Sequence, residues 1–119
     1  MNGFSGKRVL VVEDEPVVAM CLEDILDTLG CITIGPASRL AEGLALARAG
    51  DLDAAILDIN LGGERSDPIA DALRMRAIPF TFASGYGACP EGYEECASLL
   101  EKPYRDAEVE AVLRIMLPE

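Results

Sequence analysis

AAILDI, residues 54–59, runs four apolar residues together and then places an aspartate, Asp58, near its end. A half-buried strand alternates apolar and polar residues. An unbroken apolar run of this length reads as a strand covered on both faces. RVLVVE (8–13), CITIG (31–35) and PFTFA (79–83) read the same way, and SLL (98–100) is a weaker fifth run. Helical spacing fills the intervals. Val18, Leu22, Ile25 and Leu29 form a stripe over 16–29 that Gly30 stops, and Leu40, Leu44 and Ala47 form one over 38–49 with Ser38 as its cap. Ile69, Ala72 and Leu73 mark 67–77. Val109, Val112, Leu113 and Met116 mark a last helix, capped by Asp106.

The strands start about 18 to 25 residues apart, room for a helix and two short loops each time. Alternating strand and helix with doubly buried strands predicts one doubly wound α/β domain over residues 1–119: a five-stranded parallel sheet, order 2-1-3-4-5, with helices on both faces. One segment breaks the pattern. ACPEGYEECA (88–97) holds Pro90 and Gly92 and has no apolar stripe, so the fourth helix is expected to be short or irregular.

Composition excludes several functions. The formal net charge is −11, with 21 acids against 10 bases, which opposes direct DNA binding. The chain has no histidine, so neither a Ser-His-Asp nor a Cys-His catalytic set can form within it. Four cysteines lack CxxC spacing, and Cys21 and Cys31 read as buried small hydrophobes in a reducing compartment. The short apolar run Val9–Val12 is too brief for a signal peptide or a membrane span, so a cytoplasmic protein with no membrane contact is expected.

The acids fall where such a sheet binds ligands. Glu13, Asp14 and Glu15 follow the first strand and Asp58 ends the third. Strands one and three are neighbours at the switch point of a 2-1-3-4-5 sheet, and ligands bind there, outside the carboxyl ends. Glu13, Asp14 and Asp58 therefore converge. Such a cluster repels itself until it takes up a proton or a cation. All-oxygen ligands, with the backbone carbonyl of Asn60 joining them, suit Mg2+ or Mn2+. Ser84 ends strand four and Lys102 follows strand five, so both project from the same sheet edge. A carboxylate, a divalent cation, a hydroxyl and an ammonium make a phosphoryl site, with Asp58 as nucleophile.

In this pattern the chain resembles the receiver domain of bacterial two-component response regulators, whose fold is flavodoxin-like. The matching features are the acid pair Glu13–Asp14, Asp58, Ser84, and Lys102 with Pro103. The resemblance implies that Asp58 accepts a phosphoryl group from phosphohistidine on a partner sensor histidine kinase or phosphotransfer protein, with Mg2+. It also implies a cis Lys102–Pro103 bond and a monomer or weak dimer that signals through a downstream protein partner.

PFTFASGY (79–86) further resembles the PFxFATGY signature of a receiver subgroup, often stand-alone regulators paired with HWE-type kinases, with Ser84 in place of Thr. Three residues before the lysine, where many receivers carry a switch aromatic, stands Leu99. The readout is then expected from Ser84 and Gly85 into a mobile loop over 85–96, with Tyr86 and Tyr93 as its aromatics, and with Pro103 beside the lysine. Three alternatives stay open at this point. A flavodoxin-type electron carrier would need a phosphate loop where the chain has Glu13, Asp14 and Glu15. A haloacid-dehalogenase-type phosphatase would need an acid where it has Asn60. A receiver-like interaction domain would keep the fold without being phosphorylated.

Overall fold

The protein is described by a computed structural model, over residues 4–84, 100–101 and 104–117. The elements follow in the order β1 (Arg8–Val12), α1 (Pro16–Thr28), β2 (Ile32–Ala37), α2 (Leu40–Ala49), β3 (Ala54–Asp58), β4 (Asn60–Leu61), β5 (Glu64–Arg65), α3 (Asp67–Met75), β6 (Phe80–Ser84), β7 (Leu100–Glu101) and α4 (Asp106–Met116). Five strands form one sheet in the order β2-β1-β3-β6-β7, and every pairing in it is parallel. This is the predicted order, with β6 and β7 as the fourth and fifth strands. The expected irregular fourth helix, over 88–97, lies outside the described residues.

Strand periodicity sorts the core into two layers. Val9 and Val11 of β1, Ala54 and Ile56 of β3, and Ala83 of β6 face one way. They pack with Leu22, Ile25 and Leu26 of α1 and with Val109, Val112, Leu113 and Met116 of α4. Leu10, Val12, Ala55, Leu57, Phe80 and Phe82 face the other way, against Ala47 of α2 and Ile69, Ala70 and Leu73 of α3. Both faces of β3 are therefore covered, and all five of its residues are buried. The edge strand β2 is mostly half-exposed, so the doubly buried reading holds for the centre of the sheet and weakens at its margin.

Three local expectations differ from the structure. Ser38 does not cap α2 with its hydroxyl. Arg39 occupies the cap position, and the Glu42 carboxylate accepts the Ser38 N–H at 3.0 Å, so the later side chain reaches back. Asp106 does not cap α4 either. It lies inside the first turn, where a negative charge still complements the helix dipole. Cys21 is exposed while Cys31 is buried. The buried stripe of α1 is centred on Ala19, Leu22, Ile25 and Leu26, which leaves Cys21 on the solvent side.

The hairpin β4–β5 was not foreseen. Its signal is the pair Gly62–Gly63, with φ of +60° and +99°, the backbone of a type I′ turn. No helix of the described residues is long and apolar enough to cross a membrane.

Candidate functional site

The register of the sheet builds the site. Val12 of β1 pairs with Leu57 of β3, so the next residue along each strand sets Glu13 beside Asp58. Both continue the alternation of the α1/α4 layer: Glu13 follows Val9 and Val11, and Asp58 follows Ala54 and Ile56. Asp14 then enters the loop before α1. The result is three carboxylates with one oxygen each inside 4.8 Å of the others. Glu13 is 2% exposed and Asp58 8%, with Asp14 half-buried between them and solvent.

Two of the described residues, Glu15 and Tyr104, hold Glu13. Its Oε2 accepts the backbone N–H of Glu15 at 3.2 Å, and its Oε1 accepts the Tyr104 hydroxyl at 3.5 Å. Tyr104 is 7% exposed and belongs to the α1/α4 core. Burial, and then the charges of Glu13 and Asp58, push its phenol far above the ordinary tyrosine range. Tyr104 is therefore a neutral donor at working pH, and towards a carboxylate it can only donate.

The hairpin closes the other side. A Cβ on Gly62 would stand 3.7 Å from Asp14 Oδ2, so the turn comes up to the acids at the residue that also needs positive φ. The Gly63 N–H donates to Asn60 Oδ1 at 2.9 Å, which commits the Asn60 side chain to the turn. In an antiparallel ladder, hydrogen-bonded and non-hydrogen-bonded pairs alternate. The Ile59 carbonyl accepts from the Ser66 N–H at 3.0 Å, and Asn60 faces Arg65 in the next pair. The ladder thus leaves the Asn60 carbonyl outside its bonding.

A model of the response regulator receiver domain matches residues 9–114. The chain belongs to that family.

Among proteins similar to this receiver is the phyllosphere-induced regulator PhyR of Methylorubrum extorquens. It is 34% identical over 114 residues, which is 89% of this chain and 42% of PhyR. The receiver thus spans less than half the length of that relative. It is also similar to SdrG of Sphingomonas melonis, whose solution structure superposes with a TM-score of 0.83 at 40% identity, covering 98% of this chain and 99% of SdrG. A second structure, the BeF3-activated conformation of SdrG from Pseudomonas melonis, matches with a TM-score of 0.79 at 40% identity over 95% of this chain and 98% of that one. Receiver domains belong to two-component signalling, where they interact with histidine kinases and downstream partners. They bind Mg2+ through acidic residues.

Ser84 ends β6, where it pairs with Glu101 of β7, one residue beyond the Ala83 that pairs with Asp58. Its backbone thus lies at the edge that carries the acids. Its side chain, together with Gly85, Tyr86, Leu99, Lys102 and Pro103, lies outside the described residues, and so does the expected cis Lys102–Pro103 bond. Among the described residues the cis bond is Gly35–Pro36. Sequence reasoning missed Tyr104. The only signal for it was an aromatic directly after Lys102–Pro103.

Proposed function

We propose that Asp58 is the phosphoacceptor of this receiver and that Glu13, Asp14, Asp58 and the Asn60 carbonyl hold Mg2+, or Mn2+, beside it. The observation that carries the reading is the convergence of three carboxylates from two neighbouring strands within 4.8 Å. Three anions at that separation repel, more so where two are buried, unless a cation joins them. The donor set is hard oxygen throughout, which suits a hard divalent cation such as Mg2+ or Mn2+. A bound Mg2+ would neutralise charge on the phosphoryl oxygens.

The chain's residues do the rest. A carboxylate oxygen of Asp58 attacks phosphorus in line, and the bond from phosphorus to the partner's histidine nitrogen breaks. The Ser84 hydroxyl donates to one phosphoryl oxygen and the Lys102 ammonium pairs with another. The readout of phosphorylation falls to Ser84, Gly85 and Tyr86, with Leu99 standing where many receivers carry a switch aromatic and Pro103 following the lysine. SdrG, 40% identical, has a BeF3-activated conformation, and the tetrahedral fluoride complex stands in for a phosphoryl group. This supports the same chemistry here.

On this reading residues 1–119 act as one cytoplasmic receiver unit of the PFxFATGY subgroup. The unit takes phosphoryl groups from a sensor kinase, including the HWE type, and signals through protein contacts as a monomer or weak dimer. It catalyses nothing beyond its own phosphoryl transfer and hydrolysis.

Acetyl phosphate with Mg2+ tests this by intact mass. The wild type gains one phosphoryl group, and Asp58→Asn gains none. Equal gain by both chains would remove Asp58 from the role. Steady turnover of a phosphate ester would instead favour a phosphatase.

A further inference from the structure

Tyr104 joins one of the acids, Glu13, to the apolar core. Its ring lies in the layer formed by Val109, Leu113 and Met116 of α4, and α4 begins two residues after it. Its hydroxyl reaches Glu13 Oε1, while the other carboxylate oxygen takes the local Glu15 N–H. The Glu15 bond orients Glu13 within its own loop. The Tyr104 bond ties it to a different element, 91 residues along the chain. At 3.5 Å that contact is long for O–H···O, which is strongest at about 2.7–2.8 Å. A shift of a few tenths of an ångström in either group therefore tightens it or breaks it.

We propose that Tyr104 is a positioning residue: its hydroxyl orients Glu13 for the divalent cation, and its ring passes occupancy of the acidic site to α4. This rests on the cation reading given above. The groups that hold a metal ligand in place commonly matter nearly as much as the ligand. Here the second group is also the first anchor of a helix. A cation that draws on Glu13 pulls on Tyr104, which shares one core cluster with the buried residues of α4. A phenylalanine would fill the same space and keep the packing, so the hydroxyl can be removed by itself.

The test is Mg2+ titration of the full chain by calorimetry, with backbone amide shifts of α4 recorded in parallel. Tyr104→Phe is expected to bind Mg2+ about tenfold more weakly than wild type, with smaller Mg2+-induced shifts over 109–116. In a Glu13→Ala background the Tyr104→Phe change should have no further effect on affinity. Affinity within about twofold of wild type overturns the proposal, as does a tenfold loss that persists without Glu13. The wild type gives a second reading that needs no variant: Mg2+ must move the α4 amides, and stationary amides at saturation contradict the coupling. If the wild type shows no saturable Mg2+ binding, the cation reading itself falls. If it binds and Tyr104→Phe binds equally, only the role of Tyr104 falls.

Discussion

The two apolar layers of the sheet end differently at their upper edge. On the α2/α3 side, Val12 and Leu57 finish the strands and are sealed over. A Cβ on Gly43 of α2 would come within 2.7 Å of Ile69 Cδ1 and 3.4 Å of Val12 Cγ2, so helix, helix and strand meet with no room left. On the α1/α4 side the same register ends in Glu13 and Asp58, and the layer below them includes the Tyr104 ring. One side is a closed support. The other carries charge at its rim and a polar contact leading down into a helix. Substitutions on the closed side should therefore change stability, and substitutions at the charged rim should change cation binding.

The largest expected effect concerns the charged rim. With Mg2+ at about 100 times its Kd, the wild type should gain about 2.7 kcal/mol of stability, because only the folded chain assembles the site. Asp14→Asn should gain little, since it removes one of three carboxylates. Thermal melts with and without Mg2+ measure this, and an equal gain in both chains would break the contrast between the layers.

On the closed side, Gly43→Leu should cost about 1–3 kcal/mol by overpacking against Ile69 and Val12. Its Mg2+ affinity should match wild type, and urea melts with calorimetry check both halves of that statement. Gly62→Val crosses between the two behaviours. It forces a β-branched residue to φ +60°, at a cost of about 1–2 kcal/mol, and it crowds Asp14. Stability and Mg2+ affinity should therefore fall together, and a fall in stability alone would place the hairpin with the support.

The smallest effect is the alkaline limb. The Tyr104 phenol is raised above its ordinary 10.0 in the folded chain, by burial first and by Glu13 and Asp58 next. The unfolded chain then loses that proton first, so the contribution is fully present below pH 10 and is lost as pH rises from there. Tyr104→Phe should flatten this limb of the stability–pH curve. An unchanged limb would assign the loss to other groups.

Much of this was legible because strand burial and turn position are written in residue type. The runs at 8–13 and 54–59 gave the central strands, and their parallel pairing follows from the helices between them. The acid cluster was legible from topology alone, since Glu13 and Asp58 end neighbouring strands. Less local features were not. Cys21 sits one position off the buried stripe of α1, a difference that helical spacing does not resolve. The Ser38 and Asp106 caps failed because cap position depends on which residue leaves the helical backbone first, by one or two positions. The bond from Tyr104 to Glu13 joins segments far apart in sequence, and no pattern in either segment announces it.

The central claim is that phosphorylation falls on Asp58. The most direct measurement treats the wild type with acetyl phosphate and Mg2+, quenches it, and reduces the acyl phosphate with borohydride. Peptide mass spectrometry then finds the site. Homoserine is expected at position 58 and nowhere else, dependent on Mg2+. Label at another residue, or an unreduced Asp58 in chain that has gained a phosphoryl group, would contradict it.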